Sequence, residues 1–172
     1  MQTTYQPATT YIYPSPLGNL AITANNDYIQ SVLFETQIAR GEVVKFSSAI
    51  NHQLIENCCT QLQEYFDGTR QNFDLLLQQS GTPFQQKVWT ALSTIDYGST
   101  ITYLVLSKRI GNTKAIRAVG TANGCNKLSI LVPCHRVIGS NGSLIGYSGE
   151  LWRKKWLLNH EYEYGNGQGI LF

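Results

Sequence analysis

The sequence has little charge and no long apolar run. Only 14% of its 172 residues are Asp, Glu, Lys or Arg, and 42% are hydrophobic, which excludes a coiled coil and a disordered chain. No stretch approaches the ~20 apolar residues of a membrane helix, so we expect no membrane-spanning segment. Residues 1–13 contain no basic residue and no apolar core, unlike a secretory signal. We therefore expect a cytoplasmic protein.

The sequence also lacks the residue spacing of common metal sites. No Cys-x-x-Cys pair occurs among Cys58, Cys59, Cys125 and Cys134, and the three histidines lie far apart. His52 with Cys58 and Cys59 is one combination that remains open, although a packed helix explains these three residues more simply. Because nothing indicates export, we expect free thiols rather than disulfides, and no bound metal.

The net charge of +2 divides unevenly along the chain. Residues 1–80 contain three basic and seven acidic side chains, a net charge of −4, whereas residues 81–172 contain ten basic and four acidic ones, a net charge of +6. This asymmetry favours contact of the second half with a polyanion. A chain of this length forms one domain or two small ones, and the polar segment Gln78–Pro83 predicts a boundary between residues 80 and 81.

The first half has the pattern of a small α/β domain. Three β-prone runs separated by turn residues predict an antiparallel sheet, namely Tyr11–Tyr13, Leu20–Ala24 and Ile29–Phe34. Apolar residues at three- and four-residue intervals then predict a helix over Ala49–Phe66. Leu75–Leu77 has the composition of one more short strand. Residues 1–80 are thus predicted to be an N-terminal α/β domain with an antiparallel sheet and a helix.

The second half, residues 81–172, is predicted to be mostly helical. Apolar stripes predict helices over Phe84–Ile95, Tyr103–Ile110 and Lys114–Ala122, and the breaker Gly111-Asn112 between the last two is typical of a helix-turn-helix. Two ordinary packed helices are the alternative. The basic residues of this unit are Lys108, Arg109, Lys114 and Arg117. Because the unit contains no acidic residue, its charge favours nucleic-acid binding.

The sharpest chemical feature is a cysteine followed by a histidine and an arginine. The apolar run Leu128–Val132 ends at Pro133, and Cys134-His135-Arg136 follows at once. A cysteine attacks only as thiolate, and its unperturbed pKa is ~8.5. Arg136, or free backbone N–H groups after Pro133, would lower that pKa, and His135 would act as a base through a bound water. The alternative is a buried cysteine beside a surface histidine.

The segment Pro133–Val137 resembles the active-site motif of the O6-alkylguanine-DNA alkyltransferases, also called methylated-DNA–protein-cysteine methyltransferases. Further segments resemble the family in the same order along the second half: Gly81–Gln85, Val88-Trp89, Thr102-Tyr103, Ile110-Gly111, Arg117–Gly120, Tyr147–Gly149 and Trp156–Glu161. In the first half, Ser15–Gly18 and Glu64–Gly68 are similar to the family more weakly. Short motifs in a fixed order are far more specific than any one of them.

The resemblance implies a chemical role for five residues. Cys134 would accept the alkyl group, and His135 would act as base through water while Glu161 fixes its tautomer. Asn126 matches an asparagine that steadies the active-site turn. Tyr103 would donate a hydrogen bond or a proton to the guanine ring and crowd the phosphate of the lesion nucleotide.

The resemblance also implies a DNA partner, namely double-stranded DNA that contains O6-alkylguanine, with O4-alkylthymine left open as a second lesion. The target base would leave the stack, and Arg117 would fill the gap. Further residues expected to contact the substrate or the DNA are Val137, Tyr147, Ser148, Lys114 and Ala118. The implied reaction is a single transfer onto sulfur by a monomer without a cofactor.

The sequence departs from the family pattern at three positions where proline is usual, namely Asp96, Thr113 and Lys127. Lys127 is expected to loosen the turn that holds Asn126. Cys125, a second thiol close to the motif, is expected to be inert. The charge run Arg153-Lys154-Lys155 is expected to form a solvated helix face.

Two other functions remain open from the residues alone. One is a helix-turn-helix regulator or alkyl-lesion sensor that binds DNA without chemistry. The other is a cysteine hydrolase that uses Cys134 and His135, although no hydrolase signature surrounds the cysteine.

Overall fold

The computed structural model describes residues 8–38, 53–165 and 172. The chain separates into two compact units, Met1–Gln79 and Ser80–Phe172, and each is described by itself. In the described part of the chain, no helix is long and apolar enough to cross a membrane.

The first unit contains a three-stranded antiparallel sheet in the order β1-β2-β3, which confirms the predicted meander. Its strands are β1 (Thr9–Ser15), β2 (Gly18–Ala24) and β3 (Ile29–Phe34), and a short 3₁₀ helix, Glu35–Gln37, follows. The β1–β2 turn closes where Ser15 pairs with Gly18, whose φ of +96° favours glycine. Alternate strand residues such as Leu20, Ile22 and Phe34 are fully buried, as a sheet with one covered face requires.

Helix α1 (Gln53–Phe66) of the first unit buries Ile55, Cys58 and Leu62 on one stripe. The predicted helix began at Ala49, and residues 49–52 lie outside the described residues. The predicted strand Leu75–Leu77 is wrong, because only Leu77 forms a bridge, to Ile29 of β3. Leu76 is 61% exposed, so this run lacks the burial that a further strand would have.

In its described residues, the second unit contains four α-helices and two very short strands: α2 (Pro83–Leu92), β4 (Ile101–Thr102), α3 (Tyr103–Arg109), α4 (Ile116–Gly124), β5 (Val137–Ile138) and α5 (Leu151–Tyr164). Thr82 and Gln85 form a capping box at the start of α2, with Pro83 in the first turn. Helix α3 ends before Gly111, whose φ is +73°, and the turn leads into α4. The predicted pair of helices around this turn is therefore present.

Strands β4 and β5 pair in parallel, which determines where the chemical residues lie. Ile101 is the partner of Val137, and Thr102 is the partner of Ile138. Tyr103 is the first residue of α3 and directly follows β4, while a 3₁₀ helix, Cys134–Arg136, directly precedes β5. This pairing brings the start of α3 beside the cysteine motif.

Candidate active site

Cys134 is the first residue of the 3₁₀ helix after Pro133, and it is only 2% exposed. Its sulfur lies 3.2 Å from the side-chain nitrogen of Asn126, which donates a hydrogen bond to it. Burial raises the pKa of the thiol, whereas the Asn126 hydrogen bond, the charge of Lys154 and nearby backbone N–H groups lower it. The sulfur therefore sits in a dry position with donors that favour its ionised form.

Asn126 holds the turn that carries the cysteine. Its Nδ2 donates to the carbonyl of Val132 at 2.9 Å, and its Oδ1 accepts from the backbone N–H of Leu128 at 3.1 Å. Within this turn Ile130 has a φ of +72°, a conformation that a β-branched residue rarely adopts. Lys127 is exposed, and the Asn126 hydrogen bonds that hold the turn form beside it. That Lys127 loosens this turn stays a prediction.

His135 and Glu161 form the pair that the resemblance implies. The Nε2 atom of His135 lies 2.8 Å from Oε1 of Glu161, and both side chains are fully buried. Burial lowers the pKa of His135, more than Glu161 raises it. Burial by itself would raise the pKa of Glu161, but His135 and Arg136 bring that pKa well below its usual range. The pair is therefore a neutral imidazole that donates from Nε2 to a carboxylate.

This tautomer leaves Nδ1 as the basic nitrogen of His135. Nδ1 is buried and has no hydrogen-bond partner among the described residues. A neutral imidazole with one nitrogen occupied by a carboxylate has its lone pair on the other nitrogen. Position, tautomer and protonation state thus agree with a general base.

Arg136 does not act on the thiol, so the expectation that it lowers the pKa of Cys134 is wrong. Its guanidinium instead binds Glu161 through two nitrogens, at 2.8 and 2.9 Å. It also donates to the carbonyl of Ile95 and lies over the ring of Tyr97, 5.6 Å from the ring centre. Arg136 thus compensates the buried negative charge of Glu161. If Arg136 lay beside the sulfur instead, the Glu161 carboxylate would lose this cation.

The cation whose charge reaches the thiol is Lys154, on α5. The predicted solvated face is wrong for Arg153 and Lys154, which are 7% and 0% exposed, and right for Lys155. The ammonium of Lys154 donates to the carbonyls of Val137 and Ile145 at 2.6 and 2.5 Å, so the buried charge is hydrogen-bonded. Burial lowers the pKa of Lys154 to about 8, against the opposite effect of Cys134.

Tyr103 lies on the other side of the motif and is 7% exposed. Its hydroxyl group lies 3.3 Å from the carbonyl oxygen of Ile145 and 3.2 Å from that of Gly146. Asn123 donates to the phenol oxygen at 3.4 Å. Burial and the neighbouring Cys134 raise the pKa of Tyr103 to about 12, while the Asn123 hydrogen bond lowers it. Tyr103 is thus a protonated donor next to the thiol.

A cavity of about 420 Å³ opens beside Tyr103. Its lining residues are Tyr103, Leu104, Ile116, Gly120, Gly139, Ser140, Ile145 and Gly146. Leu104, Ile116 and Ile145 are exposed apolar side chains at its mouth. A cavity of this volume with apolar walls and a few polar groups has the usual character of a small-molecule or base pocket.

The remaining predicted contact residues range from buried to exposed. Val137 is fully buried, and Tyr147 is half-buried. Burial of the Tyr147 phenol raises its pKa well above the ordinary value. Ser148 is exposed. Lys114, in the turn, and Arg117 and Ala118, on α4, are also exposed. The structure therefore does not bring these last three into the buried cluster around the cysteine.

Sequence reasoning missed two residues of the site, Asn123 and Lys154. A signal for Lys154 exists, because Lys154, Leu158 and Glu161 follow one another at four- and three-residue intervals on the buried face of α5. Asn123 follows Val119 and Ala122 on the buried side of α4, where a polar side chain needs an explanation.

No group of three potential metal ligands occurs in residues 8–38 and 53–165. All four cysteines are free, with Cys58 and Cys134 buried, Cys59 partly buried and Cys125 exposed. His52 lies outside the described residues, so the combination with Cys58 and Cys59 has no structural outcome.

Two family models match the chain, one to each half. The model described as "6-O-methylguanine DNA methyltransferase, DNA binding domain" matches residues 83–163, and the "ribonuclease-like domain" model of the same name matches residues 9–79. The constitutive methylated-DNA–protein-cysteine methyltransferase of Bacillus subtilis is 45% identical over 150 residues, which are 86% of this chain and 91% of that protein.

Solved structures are similar over nearly the whole chain. The crystal structure of the Mycobacterium tuberculosis O6-methylguanine methyltransferase has a TM-score of 0.85 and 36% identity, and the match covers 94% of this chain and 97% of that chain. The crystal structure of Mycobacterium tuberculosis OGT in complex with DNA has a TM-score of 0.83 and 38% identity, with 91% and 94% covered.

Proposed function

The chain belongs to the family of methylated-DNA–protein-cysteine methyltransferases, and from that premise we propose which of its residues carry out the reaction. The protein repairs alkylated DNA by transfer of the alkyl group to a cysteine of its own chain. The acceptor is Cys134. The observation that carries this assignment is the contact of its buried sulfur with Asn126, beside a histidine whose tautomer Glu161 fixes.

The transfer begins with removal of the thiol proton. His135 takes this proton at Nδ1 through a water, because its Nε2 already donates to Glu161. The thiolate then gains support from the Asn126 hydrogen bond and from the charge of Lys154. These groups offset the burial that disfavours the charged sulfur.

The alkyl group moves in a single displacement. A bond forms between the Cys134 sulfur and the alkyl carbon as the bond from that carbon to guanine O6 breaks, and the electron pair passes into the purine. Tyr103 donates its hydroxyl hydrogen to the purine ring as that ring gains negative charge. The proton that His135 took from the thiol then returns through water to the Tyr103 oxygen, so that both side chains end neutral. The product is guanine and a thioether, which water does not cleave readily, so each chain reacts once. The displacement needs no cofactor.

The helix-turn-helix formed by α3 and α4 contacts the DNA. The lesion base leaves the stack at a cost of a few kcal/mol, and Arg117, exposed on α4, fills the gap. Lys114 and Ala118 contact the DNA beside it. Val137, Tyr147 and Ser148 hold the extruded base, with the Tyr147 ring as a wall of its pocket.

We also propose that residues 1–80 and 81–172 are separate domains, which the compact units Met1–Gln79 and Ser80–Phe172 support. The protein acts as a monomer in the cytoplasm, where it has access to DNA.

The test is the fate of a radiolabelled methyl group on O6 of guanine in duplex DNA. We expect the label on the wild-type chain and on a Cys125→Ala control, which removes an exposed thiol, and no label on Cys134→Ala. Label on Cys134→Ala would overturn the assignment of the acceptor. A chain that binds the duplex and leaves all label on the DNA would be a lesion sensor, and an ester substrate that gives a burst would indicate a cysteine hydrolase.

A further inference from the structure

One side chain joins the proposed proton donor to the proposed nucleophile. Asn123 of α4 is 1% exposed, and its Nδ2 donates to the phenol oxygen of Tyr103 at 3.4 Å and to the carbonyl oxygen of Cys134 at 3.3 Å. We propose that Asn123 is a positioning residue that fixes the Tyr103 hydroxyl relative to the Cys134 sulfur during alkyl transfer. This inference rests on the proposed function, and it assigns to Asn123 an effect that acts through Tyr103.

The geometry of an amide suits this task. The two hydrogens of Nδ2 lie in one plane at a fixed angle, so one side chain fixes the directions of both acceptors. Tyr103 begins α3 and Cys134 begins a 3₁₀ helix, so no element of secondary structure contains both. Asn123 links them from a third element, α4, whose Gly120 also runs past the Tyr103 ring.

The buried oxygen of Asn123 argues against a purely structural role. Oδ1 is buried and has no hydrogen-bond partner among the described residues. A buried unpaired acceptor destabilises the folded chain, and an apolar side chain of the same size would avoid that cost. The surrounding buried face of α4, with Val119 and Ala122, would accept such a side chain.

The direction of the hydrogen bond also suits a proton donor. Because Asn123 donates to the phenol oxygen, the hydroxyl hydrogen of Tyr103 remains available for an acceptor. In the free protein the hydroxyl faces the carbonyls of Ile145 and Gly146, and in the reaction it would turn to the purine. The donated N–H also lowers the pKa of Tyr103, which burial raises to about 12, and this favours donation to the leaving purine.

A double-mutant cycle tests the proposal. We measure the single-turnover rate on duplex O6-methylguanine for Asn123→Leu, Tyr103→Phe and the double variant. We expect Asn123→Leu to lower the rate about tenfold, as loss of a hydrogen bond worth about 1.4 kcal/mol in the transition state does. In the Tyr103→Phe background the same substitution should change the rate less than twofold, because the group on which Asn123 acts is already absent. An equal loss in both backgrounds would overturn the proposal.

Methyl iodide separates this role from general damage to the site. Its iodide leaves without a proton donor, so we expect Asn123→Leu to methylate at Cys134 as fast as the wild type. A matching loss with methyl iodide would mean that Asn123 only supports the fold around the thiol, which contradicts the proposal. Ser107→Ala is the matched control, since Ser107 is buried on α3 and its hydroxyl donates to the carbonyl of Leu104 on the same helix.

A second variant and the wild-type measurement distinguish the possible outcomes. If Asn123→Leu does not fold, Asn123→Ala removes the same two hydrogen bonds and is measured in the same cycle. If the wild-type chain transfers no methyl group to Cys134, the proposed function fails. If it does transfer and the cycle is additive, only the role of Asn123 fails.

Discussion

At the scale of single residues, Glu161 explains why the buried charges of the site are tolerated. Its carboxylate accepts from His135, from two nitrogens of Arg136 and from the backbone N–H of Gly98, the last at 3.2 Å. One acid thus neutralises a buried arginine and selects the histidine tautomer. Stability and chemistry therefore depend on the same side chain.

Removal of the Glu161 charge tests this double role. We expect Glu161→Gln to lower the free energy of unfolding by about 3–5 kcal/mol, because Arg136 is left as an uncompensated buried charge. The rate of methyl transfer should fall as well, since His135 loses the acceptor that fixes its tautomer. Urea unfolding and single-turnover kinetics measure the two effects. Glu163→Gln, an exposed acid on the same helix, is the control and should change neither.

The absence of a side chain at Gly146 leaves room for the Tyr103 hydroxyl. Its φ is +64°, and a Cβ at this position would overlap the phenol oxygen of Tyr103. Gly142 has a similar φ of +80° but open space around it, so it provides a control for backbone strain alone. The two alanine substitutions should therefore differ in activity much more than in stability.

We expect Gly142→Ala and Gly146→Ala each to cost about 1–3 kcal/mol of stability through the left-handed backbone. Only Gly146→Ala should also slow methyl transfer, by at least tenfold, because it displaces the Tyr103 hydroxyl. Thermal unfolding and single-turnover rates decide the matter. Equal rates for the two variants would show that the hydroxyl position is unimportant.

At the scale of elements, the sequence predicts those whose signal is local. The β1–β3 meander has turn residues between β-prone runs, and α3 and α4 have apolar stripes around Gly111, so both are present as expected. Strands β4 and β5 have two residues each and were not predicted. Their pairing is a contact between distant parts of the chain, which no local pattern of the sequence records.

The residues of the chemical site also fall into those that the sequence predicts and those that it does not. The motif around Cys134, with His135, Asn126, Glu161 and Tyr103, could be predicted from short motifs in a fixed order. The partner of Arg136 and the burial of the α5 cations could not, because charge runs normally face water. Only the folded chain provides the carbonyls that accept from the ammonium group on α5.

Helix α4 should affect the rate of alkyl transfer from duplex DNA and not the rate with a free base. Arg117 is exposed on α4, so it has no part in the buried cluster. We expect Arg117→Ala to lower the rate on duplex O6-methylguanine at least tenfold and to leave the rate with free O6-benzylguanine unchanged, because a free base needs no extrusion. Lys155→Ala, an exposed cation on α5 outside the helix-turn-helix, is the control. An equal loss on both substrates would contradict the assigned role.

At the scale of the whole molecule, stability should fall with acid. Burial holds the pKa of His135 below its ordinary ~6.5, so below that pH the unfolded chain takes up a proton that the folded chain does not. The Glu161 pKa lies well below its ordinary ~4.3, so the stability it contributes is present above that value and lost as the pH falls further. Both effects have the same sign.

We therefore expect the free energy of urea unfolding to decrease from pH 7 to pH 3, by roughly 1.4 kcal/mol per pH unit for each group that is fully titrated in the unfolded chain only. Glu161→Gln should flatten the lower part of this curve, whereas Glu163→Gln should leave it unchanged. A stability that stays constant or rises toward pH 3 would mean that the buried pair is not a neutral histidine and a carboxylate.

The central claim is that one chain accepts one alkyl group, on Cys134, and then stops. The most direct measurement incubates the protein with excess duplex O6-methylguanine, counts the repaired guanines and maps the added methyl group by peptide mass. The account predicts one repaired guanine for each chain and a single methyl group on the peptide that contains Cys134. More repaired guanines than chains, or a methyl group on any other peptide, would contradict it.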